Sequence, residues 1–189
     1  MCNKCSICSG SCQVSSAPSS PQIARYRDLV RVESPPEHHN NAIGQFDSYW
    51  RSLREDLGRF PSRTHLDPIA MGAAILPWLL LVELREDSEG MFLFYRLCGT
   101  EIANLVGHDV TGKTSREVIC DSNLKVIVEP YYFTLQEQQP SFWKTSVYHE
   151  VYSWRPAVRG VWPLSGCGEK IDMFVNLTVP VLGSMPKNL

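Results

Sequence analysis

The sequence of 189 residues has no long apolar run, no long basic run and little net charge. Its longest apolar stretch, residues 69–84, is interrupted by Gly72, Pro77 and Glu83. It falls short of the roughly 20 residues needed to cross a bilayer. The N-terminus is polar and cysteine-rich, so it does not read as a secretory signal. A cytoplasmic protein without a membrane span is expected. Net charge is −2, and Arg25, Arg27 and Arg31 form the densest basic cluster. Binding nucleic acid through its phosphates needs a basic face, so that partner is not expected. No internal repeat is visible. No nucleophile, base and orienting residue assemble into a triad, so an enzyme is not expected either.

What is present is ordinary for one globular domain with extensions: 43% hydrophobic and 20% charged residues in a chain long enough to bury a core. Seven cysteines, an odd number, read in a reducing compartment as thiols or metal ligands. Four of them, Cys2, Cys5, Cys8 and Cys12, have the spacing C-x₂-C-x₂-C-x₃-C. This resembles a bacterial ferredoxin run, but Gln13 stands where that motif has proline and a second cysteine set is missing. Four thiolates also suit one zinc ion. The segment has few apolar residues to shield a site, so a metal-free tail is the alternative. Zinc or an iron–sulfur cluster on these cysteines would make the chain a metal or redox sensor.

The cysteines and the Ser/Pro-rich stretch Ser15–Pro21 form a flexible head at 1–21. Residues 22–41 read as an N-terminal helix and linker, the helix through Ile23, Tyr26, Leu29 and Val30. A clearer helix follows, with Ile43, Phe46, Trp50, Leu53 and Leu57 spaced by three and four. Asn41 is its expected cap, and Gly58 and Pro61 its end. That helix suits packing on its own domain or a dimer seam. A short helix is expected at 68–76, a hairpin of strands at 78–84 and 91–98, and helices at 101–105 and 124–135. Pro130 should kink the last helix. Strands at 141–149, 155–164 and 170–181 complete an antiparallel α+β domain over 42–182, before a tail at 183–189.

Gly107–Thr114 matches the phosphate-loop pattern G-x-x-x-x-G-K-[ST] at each fixed position. A phosphate loop must follow a strand and open a long helix, so that backbone N–H groups and the helix terminus face the phosphates. Here the preceding residues, EIANLV, read as a helix, and barely two turns follow before a polar break. A nucleotide hydrolase is considered on this motif and set aside.

In its wider setting the same stretch, FLFYRLCGTEIANLVGHDVTGK at 92–113, resembles a PAS domain, and within that family a subfamily of small bacterial single-domain proteins. YWRSLR at 49–54, PSRTHLDP at 61–68, ILPWLLLVEL at 75–84, RGVWPLS at 159–165 and IDMFVNL at 171–177 carry the rest of the resemblance. It implies a five-stranded antiparallel sheet with helices packed on one face and an N-terminal helical extension. It also implies a non-catalytic sensory module in signalling, binding a small molecule or a regulatory protein partner, with a homodimer possible and output through a separate protein. Gly99 is expected at a sharp strand-to-helix turn, Thr100 as the helix cap, Gly107 as its left-handed end, and Asp109, Thr111 and Gly112 in the next turn. Arg96, in an apolar strand, calls for a carboxylate, with Asp67 and Asp109 as candidates. By alternation, Tyr95 and Leu97 share a face of one strand, Trp162 and Leu164 of another, and Met173, Val175 and Leu177 of the last. These seven are the candidate pocket or core face. Covalent flavin photochemistry would need a cysteine in 99–113, which has none, and a haem would need His108 or His149 as its axial ligand.

Overall fold

The computed structural model describes residues 26–37, 41–119, 121–149 and 153–181. The cysteine head and the C-terminal tail lie outside these residues. Six strands, β1 (Tyr26–Val32), β2 (Leu79–Asp87), β3 (Gly90–Cys98), β4 (Ser141–His149), β5 (Ser153–Leu164) and β6 (Met173–Pro180), form one sheet in the order β1-β4-β5-β6-β2-β3. All neighbours pair antiparallel. The helices are α1 (Ala42–Leu57), α2 (Pro68–Met71), α3 (Thr100–Val106), α4 (Ser115–Val118) and α5 (Asp121–Glu137). Among the described residues no helix is long and apolar enough to cross a membrane.

Five of the strands are the expected ones, and the sixth replaces the helix expected at 22–32. Residues 26–32 are a strand that extends the sheet along β4. Its helical spacing of apolar residues misleads because the strand is bulged between Arg27 and Val30, where Asp28 takes φ 57°. A bulge adds one residue to the period-2 alternation and so imitates a longer period.

The sheet carries helices on both faces. α3, α4 and α5 cover one face, here called inner. On the outer face lies α1, locked by paired indole hydrogen bonds. Trp162 Nε1 donates to Asp47 Oδ1 at 3.0 Å, and Trp50 Nε1 donates to the Pro163 carbonyl at 3.0 Å. Phe46 meets the Trp162 ring edge-on at 4.7 Å. Gly160 leaves room for that indole, since a Cβ there would stand 2.3 Å from it. The central strands therefore have no solvent side: residues 157–165 and 174–180 are buried throughout.

Pro130 sits inside α5 and withdraws one helical N–H. The helix is held beyond it by a buried hydroxyl group. Ser141 Oγ accepts from Trp143 Nε1 at 2.9 Å and lies 2.7 Å from Thr134 Oγ1 and 3.3 Å from the Pro130 carbonyl. At the other end of the inner face, residues 111–115 run along the edge of β3. Tyr95 N–H donates to the Lys113 carbonyl at 2.9 Å, and Gly112 N–H to the Tyr95 carbonyl at 2.8 Å.

This edge is what became of the phosphate-loop pattern. Gly107 ends α3 with φ 89°, Gly112 turns with φ 80°, and Thr114 caps a helix of four residues. Asp109 Oδ1 accepts from Thr111 N–H at 2.8 Å, as expected of that turn. Thr100 is not the cap of α3. Gly99 occupies that position without a side-chain bond, and its lack of a Cβ lets it lie against the Pro77 carbonyl, 2.4 Å from where a Cβ would stand. Arg96 pairs with neither Asp67 nor Asp109. Its Nε lies 3.3 Å from Glu83 Oε1 on the adjacent strand, with the side chain 39% exposed.

A candidate ligand cavity on the inner face

The inner face is built from alternate residues of four strands. β2 contributes Leu80 and Val82, β3 Leu93 and Tyr95, β5 Arg159 and β6 Phe174 and Asn176. Over them lie Ile102 and Val106 of α3, Val118 of α4, and Ile127 and Tyr131 of α5. Tyr26 of β1 closes the side. Of these, Tyr26, Leu80, Tyr95, Arg159, Asn176 and the helix residues border a narrow, partly open cavity of about 30 Å³. A wider apolar groove of about 240 Å³ opens farther along the same face, between Leu84, Phe92, Leu124, Val128 and Tyr132. Tyr131 borders both spaces and meets Phe174 edge-on at 5.4 Å.

Arg159 is the cavity's one charged residue and is only 3% exposed. Its Nη2 donates to the Ile127 carbonyl at 3.1 Å. Its Nε and Nη1 are buried without a hydrogen-bond partner. The guanidinium carbon lies 4.9 Å from the Tyr131 ring centre and 5.9 Å from that of Tyr26. Burial pushes the Tyr26 phenol up to about 12, against the pull of Arg159, and raises Tyr95 and Tyr131 as well. All three phenols therefore stay neutral at physiological pH. Asn176 is held by the backbone, its Nδ2 donating to the Gly160 carbonyl at 3.2 Å.

The seven residues expected to share a face divide between the two. Trp162, Leu164, Met173, Val175 and Leu177 do gather on one face, but it is the outer one, where Trp162, Leu164, Val175 and Leu177 are wholly buried. Tyr95 lines the inner cavity. Leu97 does not share its face, because the β2–β3 register shifts between Leu81 and Val82. Tyr95 stands opposite Val82 and Leu97 opposite Leu81, and Leu97 is 40% exposed. His108 follows α3 and lines neither the cavity nor the groove. His149 ends β4. Cys2, Cys5, Cys8 and Cys12 lie outside the described residues. Among the described residues no three His, Cys, Asp or Glu side chains are grouped to hold a metal ion.

Sequence reasoning missed Arg159, Tyr26, Tyr131 and Asn176. The signal for Arg159 was present: an arginine inside the run Ala157–Leu164, which is otherwise free of charge. Arg159, and not Arg96, is the arginine that is buried.

A PAS domain family model matches residues 38–139, more than half of the chain and the whole span from α1 to α5. The chain belongs to the PAS domain family. The matched span holds β2 and β3; β4 to β6 follow it and complete the antiparallel sheet, and β1 adds a sixth strand at the edge beside β4. No curated protein matches the sequence.

Proposed function

We propose that this PAS domain is a non-catalytic sensory module of bacterial signalling that binds a small molecule on the inner face of its sheet. Such a module changes a protein partner, or a second copy of this chain, when the site fills. The observation that carries the reading is the inner cavity: a small, partly open space where a fixed cation, phenols and an amide converge on apolar walls. A few placed polar groups in an apolar enclosure are what small-molecule sites are built from. The surroundings favour binding over chemistry, since the cavity lining holds no carboxylate or histidine to act as a base. Location in the cytoplasm goes with this reading. A metal- or redox-sensing role for Cys2, Cys5, Cys8 and Cys12 is the alternative, carried by their spacing alone.

Amide NMR of the isotope-labelled chain, titrated with a library of neutral and charged small metabolites, tests the site. Binding should shift resonances of Leu80, Tyr95, Ile127 and Asn176 together. Shifts confined to α1 and the outer face would contradict the proposal, as would a library without a binder.

A further inference from the structure

We infer that Arg159 is the recognition element for a small monovalent anion, a short carboxylate being the prototype, held in the inner cavity beside Tyr26, Tyr95, Tyr131 and Asn176. This rests on the inner face being the binding face, and it adds the charge and size of the occupant.

A guanidinium does not lose its proton in a protein, so burial cannot neutralise it. A buried charge without a counter-charge is among the most unfavourable arrangements in a fold. Here the compensation in place is partial. One carbonyl accepts from Nη2, the neutral Tyr131 hydroxyl interacts with the guanidinium, and two aromatic faces offer their quadrupoles. Neither Asp nor Glu lines the cavity, and among the described residues no salt bridge reaches Arg159. The phenols supply no negative charge either, because burial keeps them protonated. What surrounds Nε and Nη1 is thus a set of neutral polar groups without an anionic acceptor.

Water could take those hydrogen bonds but would leave the charge unbalanced. An anion does both. Charge-assisted bonds from a guanidinium to a carboxylate are shorter and stronger than neutral ones. Space sets the upper size. One water needs roughly 10–15 Å³ measured in this way, and the cavity offers about 30 Å³. Formate, acetate and chloride are of that scale, whereas a sugar acid is not. The wider groove beyond Tyr131 is mostly apolar, its one cation, Arg116, is already paired with Asp87 and Glu89, and it is not needed for the head group.

The test is the melting temperature of the full chain in sodium acetate, formate or chloride, against sodium gluconate at equal ionic strength. Gluconate is too large for the cavity and controls for general salt effects. The small anions should raise Tm by on the order of 5 °C at a hundredfold excess over the dissociation constant. The order among the three separates a carboxylate site from a halide site. Arg159→Met should abolish the response and Arg159→Lys should keep part of it. Equal Tm in all four salts overturns the assignment without any need for a variant. An equal rise in wild type and Arg159→Met overturns it too, because the anion then acts elsewhere. If NMR finds neutral ligands on the inner face while the salts act alike, the charge assignment fails and the sensory reading survives.

Discussion

Arg96 and Arg159 are the same residue type in the same kind of apolar strand, and the fold treats them in opposite ways. Arg96 leans on Glu83 at the sheet's edge, half in solvent. Arg159 faces the helices from a central strand and keeps its charge inside. Sequence pattern signals that such an arginine is constrained, but position in the sheet decides the constraint, and that depends on pairing across the whole chain. His108 carries a constraint of a different kind. Burial first and the Lys113 charge second hold its imidazole below the usual histidine range, against weaker pulls from the Val106 backbone and Asp109. The unfolded chain therefore takes up this proton at a higher pH than the folded one. Stability from the neutral His108 is complete above the ordinary value of about 6.5 and is lost as pH falls from there through the folded value. Urea denaturation of wild type should show stability decreasing below about pH 6.5, and His108→Asn should remove part of that slope. An unchanged slope in the variant would show that His108 does not couple protonation to folding.

At the scale of elements, most of the fold was legible. Strands β2 to β6 have apolar residues bounded by turn chemistry, and α1 has helical spacing with Gly58 closing it in a left-handed conformation. Strand β1 was not legible, because it lies at the edge with exposed Arg27, Asp28 and Arg31 and carries a bulge. Nor was the site's face. Alternation separates two faces when one is wet, but β5 and β6 are covered by α1 on one side and by α3 to α5 on the other. With both faces apolar, Trp162 and Leu177 look as much like pocket residues as Tyr95 does. The outer layer has its own polar lock in Asp47, whose carboxylate takes the Trp162 indole N–H and the Arg51 Nε at 2.8 Å. Asp47→Ala leaves that buried indole donor unpaired and should cost about 1–3 kcal/mol in chemical denaturation. A loss under about 0.5 kcal/mol would mean that the Asp47–Trp162 bond adds little to the hold on α1. The acetate response should persist in this variant, since the outer face lies across the sheet from Arg159.

At the scale of the whole molecule, the described residues form a sheet between two helical layers. The outer layer fits the Trp162 indole against Gly160 beneath α1, with surface grooves of about 390 and 330 Å³ at its margins. The inner layer has short α3 and α4, an α5 that carries Pro130 inside it, a groove and a cavity beside a buried charge. A sensor needs one face that holds its shape and another whose helices can respond to an occupant, and marginal local packing favours such response. In this account the occupant is an anion that completes the charge of Arg159. The most direct measurement is a crystal structure of the full chain grown in sodium bromide, with data collected at the bromine absorption edge. The account predicts an anomalous peak within hydrogen-bonding distance of Arg159 Nε or Nη1, between the Tyr26 and Tyr131 rings. An inner cavity without that peak, in crystals where bromide is bound at other sites, would contradict it.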